Sequence, residues 1–68
     1  MKPVSGKRMC SRLEERGWVL DRINGSHHVY RHAATGRSVT VPVHANTDLK
    51  PGTQRNIMRA AGMTAADL

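Results

Sequence analysis

The dipeptide Asn24-Gly25 constrains the fold of this chain more than any other feature of its sequence. It lies between two apolar runs, and both of its residues tolerate the positive φ angles that a tight turn requires. A connection this short joins neighbouring antiparallel strands. The sequence therefore predicts a β-hairpin with strands at residues 18–23 and 27–32.

A helix is predicted before the hairpin. Ser5 is a suitable N-cap for a helix at residues 7–16, and Gly17 is a natural residue to end it. Met9 and Leu13 are four residues apart, so they form a narrow apolar stripe that faces a core.

The elements after the hairpin follow from the same signals. Residues 33–37 form a turn, residues 38–43 a third strand, and Pro51 and Gly62 mark the ends of a second helix. A short last turn is expected at residues 64–68. The order α-β-β-β-α predicts an α+β fold, with a three-stranded antiparallel sheet and two helices on one face. Double-stranded-RNA-binding domains share this order.

The length of 68 residues predicts one domain, residues 1–68, close to the lower limit for a stable core. One Trp, one Tyr and no Phe leave the core to aliphatic side chains and Met. A multidomain enzyme and a large cofactor pocket are both excluded, and no cofactor is expected.

Basic residues dominate the charge of the chain. Eleven Lys and Arg stand against five Asp and Glu, which gives a formal charge of +6. The basic residues occur in every segment, as suits contact with a nucleic-acid backbone. A merely solvated surface and an acidic protein partner remain alternative explanations.

Other classes of site and location are disfavoured. Cys10 is the only cysteine, so no intrachain disulfide can form, and its place in a helix stripe indicates a buried apolar role. The four histidines lack the compact spacing of a zinc site, so no metal is expected. No membrane span or N-terminal apolar leader segment is present, which predicts a cytoplasmic protein.

Several segments together resemble one known family. They are Gly-Ser-His-His-Val-Tyr at 25–30, Val-Thr-Val-Pro-Val-His at 39–44, Asp-Leu-Lys-Pro-Gly-Thr at 48–53, Arg-Asn-Ile-Met-Arg-Ala-Ala-Gly at 55–62 and Leu-Glu-Glu-Arg-Gly-Trp at 13–18. In this order and length the chain resembles the HicA-type toxins. The resemblance implies a small ribonuclease, an mRNA interferase of a type II toxin–antitoxin pair, with the double-stranded-RNA-binding fold and a HicB-type antitoxin as inhibitor.

The resemblance also implies a catalytic residue. The family motif is Gly-Ser-His or Gly-Gly-His, which makes His27 the catalytic histidine and His28 the second choice. The resulting candidates for RNA binding are Gly25 and Ser26 in the motif, and Arg31, Arg37 and Lys50 as phosphate-binding cations.

The chemistry of histidine agrees with this assignment, because an imidazole exchanges protons near neutral pH. Strand alternation puts His27, Val29 and Arg31 on one face of the sheet and His28, Tyr30 and His32 on the other. Alternation alone does not say which face is open. Two alternative functions therefore remain: a non-catalytic RNA-binding module, and a protein-interaction subunit.

Overall fold

The computed structural model describes residues 1–68. Its elements are, in chain order, helix α1 (Gly6–Glu15), strands β1 (Trp18–Asn24), β2 (His27–His32) and β3 (Ser38–Pro42), helix α2 (Pro51–Ala61) and a final 3₁₀ turn (Ala65–Asp67). The strands form one antiparallel sheet in the order β1-β2-β3. The predicted α+β fold with the order α-β-β-β-α is confirmed. No helix has both the length and the apolar character needed to cross a membrane.

The hairpin turn lies one residue later than predicted. Asn24 is still in β1 and pairs with His27, so Gly25 and Ser26 are the two central residues of the turn. Only Gly25 has a positive φ, at 58°. A positive φ at the first central residue alone is the requirement of a type II′ turn, where Gly is preferred.

Strand β1 contains a bulge that the sequence pattern did not predict. Leu20 pairs with Tyr30 and Arg22 pairs with Val29, which leaves Asp21 without a partner residue. The extra residue changes the alternation along β1. As a result Leu20 and Ile23, three positions apart, lie on the same face of the sheet.

Ser5 is the N-cap of helix α1, as predicted, but the helix begins and ends one residue earlier than the predicted range of 7–16. The hydroxyl of Ser5 accepts a hydrogen bond of 3.1 Å from the backbone N–H of Arg8, so the first helical residue is Gly6. Met9 and Leu13 of the apolar stripe are fully buried, as expected. Gly6 packs directly on the end of β3: a Cβ there would overlap the backbone oxygen of Pro42 and lie 3.1 Å from the Cα of Val43.

The core lies between the two helices and one face of the sheet. Tyr30 is its largest fully buried side chain. The other core residues share aliphatic, sulfur-containing or indole side chains, and they are Val4, Met9, Cys10, Leu13, Trp18, Val39, Val41, Leu49, Ile57, Met58 and Met63. The phenol hydroxyl of Tyr30 donates a 2.7 Å hydrogen bond to the carboxylate of Glu14, which ties β2 to α1.

A buried amide holds the first residues of the chain against α2. The side chain of Gln54 is fully buried, and it accepts from the N–H of Val4 at 3.1 Å and donates to the carbonyl of Lys2 at 2.6 Å. The N–H of Leu49 donates to the carbonyl of Val4 at 2.8 Å. These bonds satisfy buried polar groups and fix the position from which α1 starts.

Replacing Gly6 with Ala should destabilise the protein, because the new methyl group meets backbone atoms that cannot rotate away. We expect a loss of about 1–3 kcal/mol in the free energy of unfolding, measured by thermal or urea denaturation. Gly52→Ala is the matched control. Nothing lies within 4 Å of a Cβ at Gly52, which is in α2, so the control should gain about 0.5–1 kcal/mol. Equal effects in both variants would contradict the close packing at Gly6.

The buried Tyr30 should make the protein sensitive to alkali. Burial, and then the hydrogen bond to Glu14, raise the pKa of Tyr30 above its ordinary value, so the folded state favours the protonated phenol. This stability is complete below the unfolded-state pKa of about 10 and is lost as pH rises beyond it. Absorbance of the only tyrosine at 295 nm should therefore change together with unfolding, whereas in urea it should titrate near pH 10.

Tyr30→Phe is the comparison for this alkaline transition. It should keep only the smaller loss of stability contributed by the Cys10 thiol, whose pKa is also raised by burial. Tyrosine ionisation near pH 10 in the folded protein, with no unfolding, would show that the phenol is accessible to water.

Candidate functional site

The register of the sheet decides which face carries each histidine. Residues paired across antiparallel strands point to the same face. His28 is paired with Val41 and Tyr30 with Val39, and both valines are core residues. His28, Tyr30 and His32 thus lie on the face toward the helices, and His27, Val29 and Arg31 lie on the open face.

Of the two histidines at the start of β2, His27 is the exposed one. It is the first residue of β2, between Asn24 of β1 and Pro42 of β3, and its side chain lies on the face without helices. The backbone around it is fixed on both sides. Gly25 makes the turn, and the carbonyl of Ser26 accepts a 2.7 Å hydrogen bond from the N–H of Val43. A ligand can therefore approach the imidazole from the open side of a rigid turn.

His28 has a different environment. It is half-buried, and its cross-strand neighbours are Ile23 and the fully buried Val41. Only its exposed portion faces solvent, at the edge of the core. The two candidate histidines are thus separated by the sheet itself.

A cavity of about 330 Å³ lies beside the end of β3 and the start of α2. Pro42, the strand partner of His27, lines it together with His44 and Lys50. Lys50 is the N-cap residue of α2, and it supplies no side-chain hydrogen bond to the helix. The structure places His44 with Lys50 at one cavity, on a loop whose Thr47 N–H donates to the carbonyl of His44 at 2.9 Å.

The other two predicted cations lie away from His27. Arg31 is on the same open face but four residues along β2, which corresponds to about 13 Å of strand. Its guanidinium donates to the carbonyl of Gly36 at 3.3 Å. Arg37 lies at the far end of the sheet, where it lines a second cavity with Arg16 and Arg59. Gly25, Ser26 and His27 thus form one local group, whereas Lys50 lines the separate cavity that Pro42 borders and Arg37 lies at the far end of the sheet.

The remaining reactive side chains do not form a further cluster at this end of the sheet. No three His, Cys, Asp or Glu residues come together in an arrangement that holds a metal ion. Cys10 is buried, and burial raises the pKa of its thiol, which suits the apolar role predicted for it.

Sequence reasoning did not find the grouping of three arginines around the second cavity. Arg16 ends α1, Arg37 follows the β2–β3 turn and Arg59 is in α2. No spacing rule connects positions so far apart in the chain. The only available signal was the excess of basic residues in every segment.

Comparison with known proteins agrees with the resemblance read from the motifs. The family model described as the HicA toxin of bacterial toxin–antitoxin matches residues 6–63 of the 68-residue chain. No curated protein matches the chain. The matched region runs from the first residue of α1 to just beyond α2, and it includes the turn, His27 and the cavity with Lys50. The chain therefore belongs to the HicA toxin family of bacterial toxin–antitoxin systems.

Proposed function

We propose that this RNase-type toxin is an endoribonuclease that cleaves mRNA, with His27 as its catalytic acid–base residue and without a metal ion. The observation that carries the proposal is the position of His27, exposed on the open face of the sheet directly after a rigid turn. It is the only histidine of β2 on that face, and its sequence context is the Gly-Ser-His motif.

The reaction is an intramolecular transesterification of RNA. The imidazole of His27 takes the proton of a ribose 2′-hydroxyl, and the 2′-oxygen attacks the neighbouring phosphorus. The bond to the 5′-oxygen of the next nucleotide breaks, and that oxygen receives a proton from an acid or from water. The products are a 2′,3′-cyclic phosphate and a 5′-hydroxyl end. One positioned acid–base group contributes about 10²–10⁴-fold to such a rate.

Positively charged side chains would hold the RNA. Arg31 lies on the open face with His27, and Lys50 lines the cavity beside Pro42. Cations near the phosphate offset the negative charge that develops on its oxygens during attack. The backbone of Gly25 and Ser26 lets RNA come close to the turn, since neither residue has a large side chain. Arg37, at the other end of the sheet, would contact a more distant part of a long RNA.

The partner that controls this activity would be a HicB-type antitoxin acting on the open face. No helix packs on this face in the chain alone, and it is where a protein could block access to the exposed His27. The formal charge of +6 on the whole chain favours an acidic partner. Because mRNA is the substrate, the toxin would act in the cytoplasm.

Cleavage of a long mRNA by the purified protein in EDTA tests the proposal. The wild type should cut the RNA and leave 2′,3′-cyclic phosphate ends. His27→Ala should lower the rate by at least about 10²-fold, whereas His28→Ala should retain most of the activity. A substrate in which 2′-O-methyl groups block every hydroxyl should bind but remain intact, because the nucleophile is absent.

Thermal unfolding of both variants provides the control, since His28 contacts the edge of the core and its loss could lower stability. Loss of cleavage in a folded His28→Ala variant, with normal cleavage by His27→Ala, would transfer the catalytic role by one residue. If the wild type binds RNA and never cuts it, the protein is an RNA-binding module. If it binds only an acidic protein, it is an interaction subunit.

A further inference from the structure

The second cavity has a volume of about 250 Å³ and lies at the opposite end of the sheet from His27. It is open to solvent and is bordered by the end of α1, the β2–β3 turn and the last residues of α2. The side chains that bear on its chemistry are Arg16, Trp18, His32, Thr35, Arg37 and Arg59. His32 ends β2, so the cavity is about 17 Å of strand away from His27.

The charge inside this cavity is unbalanced. Arg16 is already paired: its guanidinium contacts the carboxylate of Asp67 at 3.0 Å and donates to the carbonyl of Gly62 at 3.4 Å. Neither Arg37 nor Arg59 forms an ion pair, and no Asp or Glu lines the cavity. Two positive charges therefore remain without compensation.

The ion pair between Arg16 and Asp67 is itself held in place. Asp67 accepts a 2.7 Å hydrogen bond from the N–H of Thr64, which, with the charge of Arg16, lowers the pKa of the carboxyl and keeps it ionised. Arg16 thus forms a fixed wall. The guanidinium groups of Arg37 and Arg59 are the ones left to bind a ligand.

A hydroxyl group and two aromatic rings also line this cavity. The hydroxyl of Thr35 accepts a 3.3 Å hydrogen bond from the backbone of Arg37, and it keeps its own proton to donate. The ring of His32 stands edge-on to Trp18, with ring centres 5.1 Å apart and planes at 74°. Trp18 is the only tryptophan of the chain.

We propose that this cavity binds a phosphate group with two or more negative charges, the terminal phosphate or pyrophosphate group of a nucleotide, through Arg37 and Arg59. Guanidinium groups bind phosphate oxygens in a bidentate manner. Two uncompensated positive charges favour a terminal phosphate or pyrophosphate group, which carries at least two negative charges, over an internal RNA phosphodiester, which carries only one. The group has two sources, a free nucleotide and the 5′-phosphate end of an RNA. The site binds without cleavage and is independent of His27.

Fluorescence of Trp18 gives a direct measurement of binding at this site. The protein is titrated with pyrophosphate at constant ionic strength, and the wild type should show a saturable change. The double variant Arg37→Ala/Arg59→Ala should weaken binding by at least about tenfold, since each lost bond is to a charged group. Arg55→Ala, one turn before Arg59 on α2 and outside the cavity, is the matched control and should bind as the wild type does.

Two short 2′-O-methyl RNAs that differ only in a 5′-phosphate or a 5′-hydroxyl distinguish the sources. Tighter binding of the phosphorylated RNA that depends on Arg37 and Arg59 assigns the site to an RNA end. Binding of pyrophosphate alone, with no difference between the RNAs, assigns it to a free nucleotide. A fluorescence change that never saturates, or that Arg55→Ala weakens as much as the double variant, overturns the proposal. These readouts do not involve cleavage, so a protein that fails as a ribonuclease can still pass this test.

Discussion

The burial of Tyr30 is the constraint on which the candidate site depends. Its ring fills the centre of the core and its hydroxyl is bonded to Glu14 of α1, so β2 has no freedom to turn over. A strand alternates its faces residue by residue, and a shift of one position would expose the tyrosine. Because His27 precedes Tyr30 by an odd number of residues, it must lie on the face without helices. His28 must lie on the other. The packing of Tyr30 thereby selects which of two adjacent histidines lies on the open face.

The rest of the fold stabilises that arrangement with few residues. Gly6 brings the start of α1 against the backbone at the end of β3, close to the strand partner of His27. The buried amide of Gln54 joins the first residues of the chain to α2. Both contacts lie near the end of the sheet that carries the turn and His27. The opposite end, with its unpaired arginines, has the charge to bind an anion. The same small sheet therefore separates a proposed reaction centre from a proposed binding site.

The sequence predicted the fold class and both ends of β2, because Asn24-Gly25 and Gly36 are local signals that act on their neighbours. It placed the turn one residue early, since Asn24 and Ser26 suit the turn equally well and only pairing with His27 distinguishes them. The bulge at Asp21 places Leu20 and Ile23 on the same face of the sheet, and it is set by the pairing of β1 with β2 rather than by a local signal. For the candidate site, the resemblance in the Gly-Ser-His motif predicts His27, and the register of the sheet puts that residue on the open face. The meeting of Arg16, Arg37 and Arg59 could not be predicted, because it results from packing between distant segments.

The bulge in β1 also affects how the molecule behaves toward other chains. β1 is an edge of the sheet, and its exposed side chains include Val19, Leu20 and Ile23. A continuous apolar edge with free backbone groups invites a foreign strand to add to the sheet. Here the residue without a partner on β2 is Asp21. Its carboxylate forms a 2.7 Å ion pair with the next residue, Arg22, in the middle of the strand. The bulge and its charges divide the edge into two short pieces, which protects a small toxin from aggregation before it meets a partner.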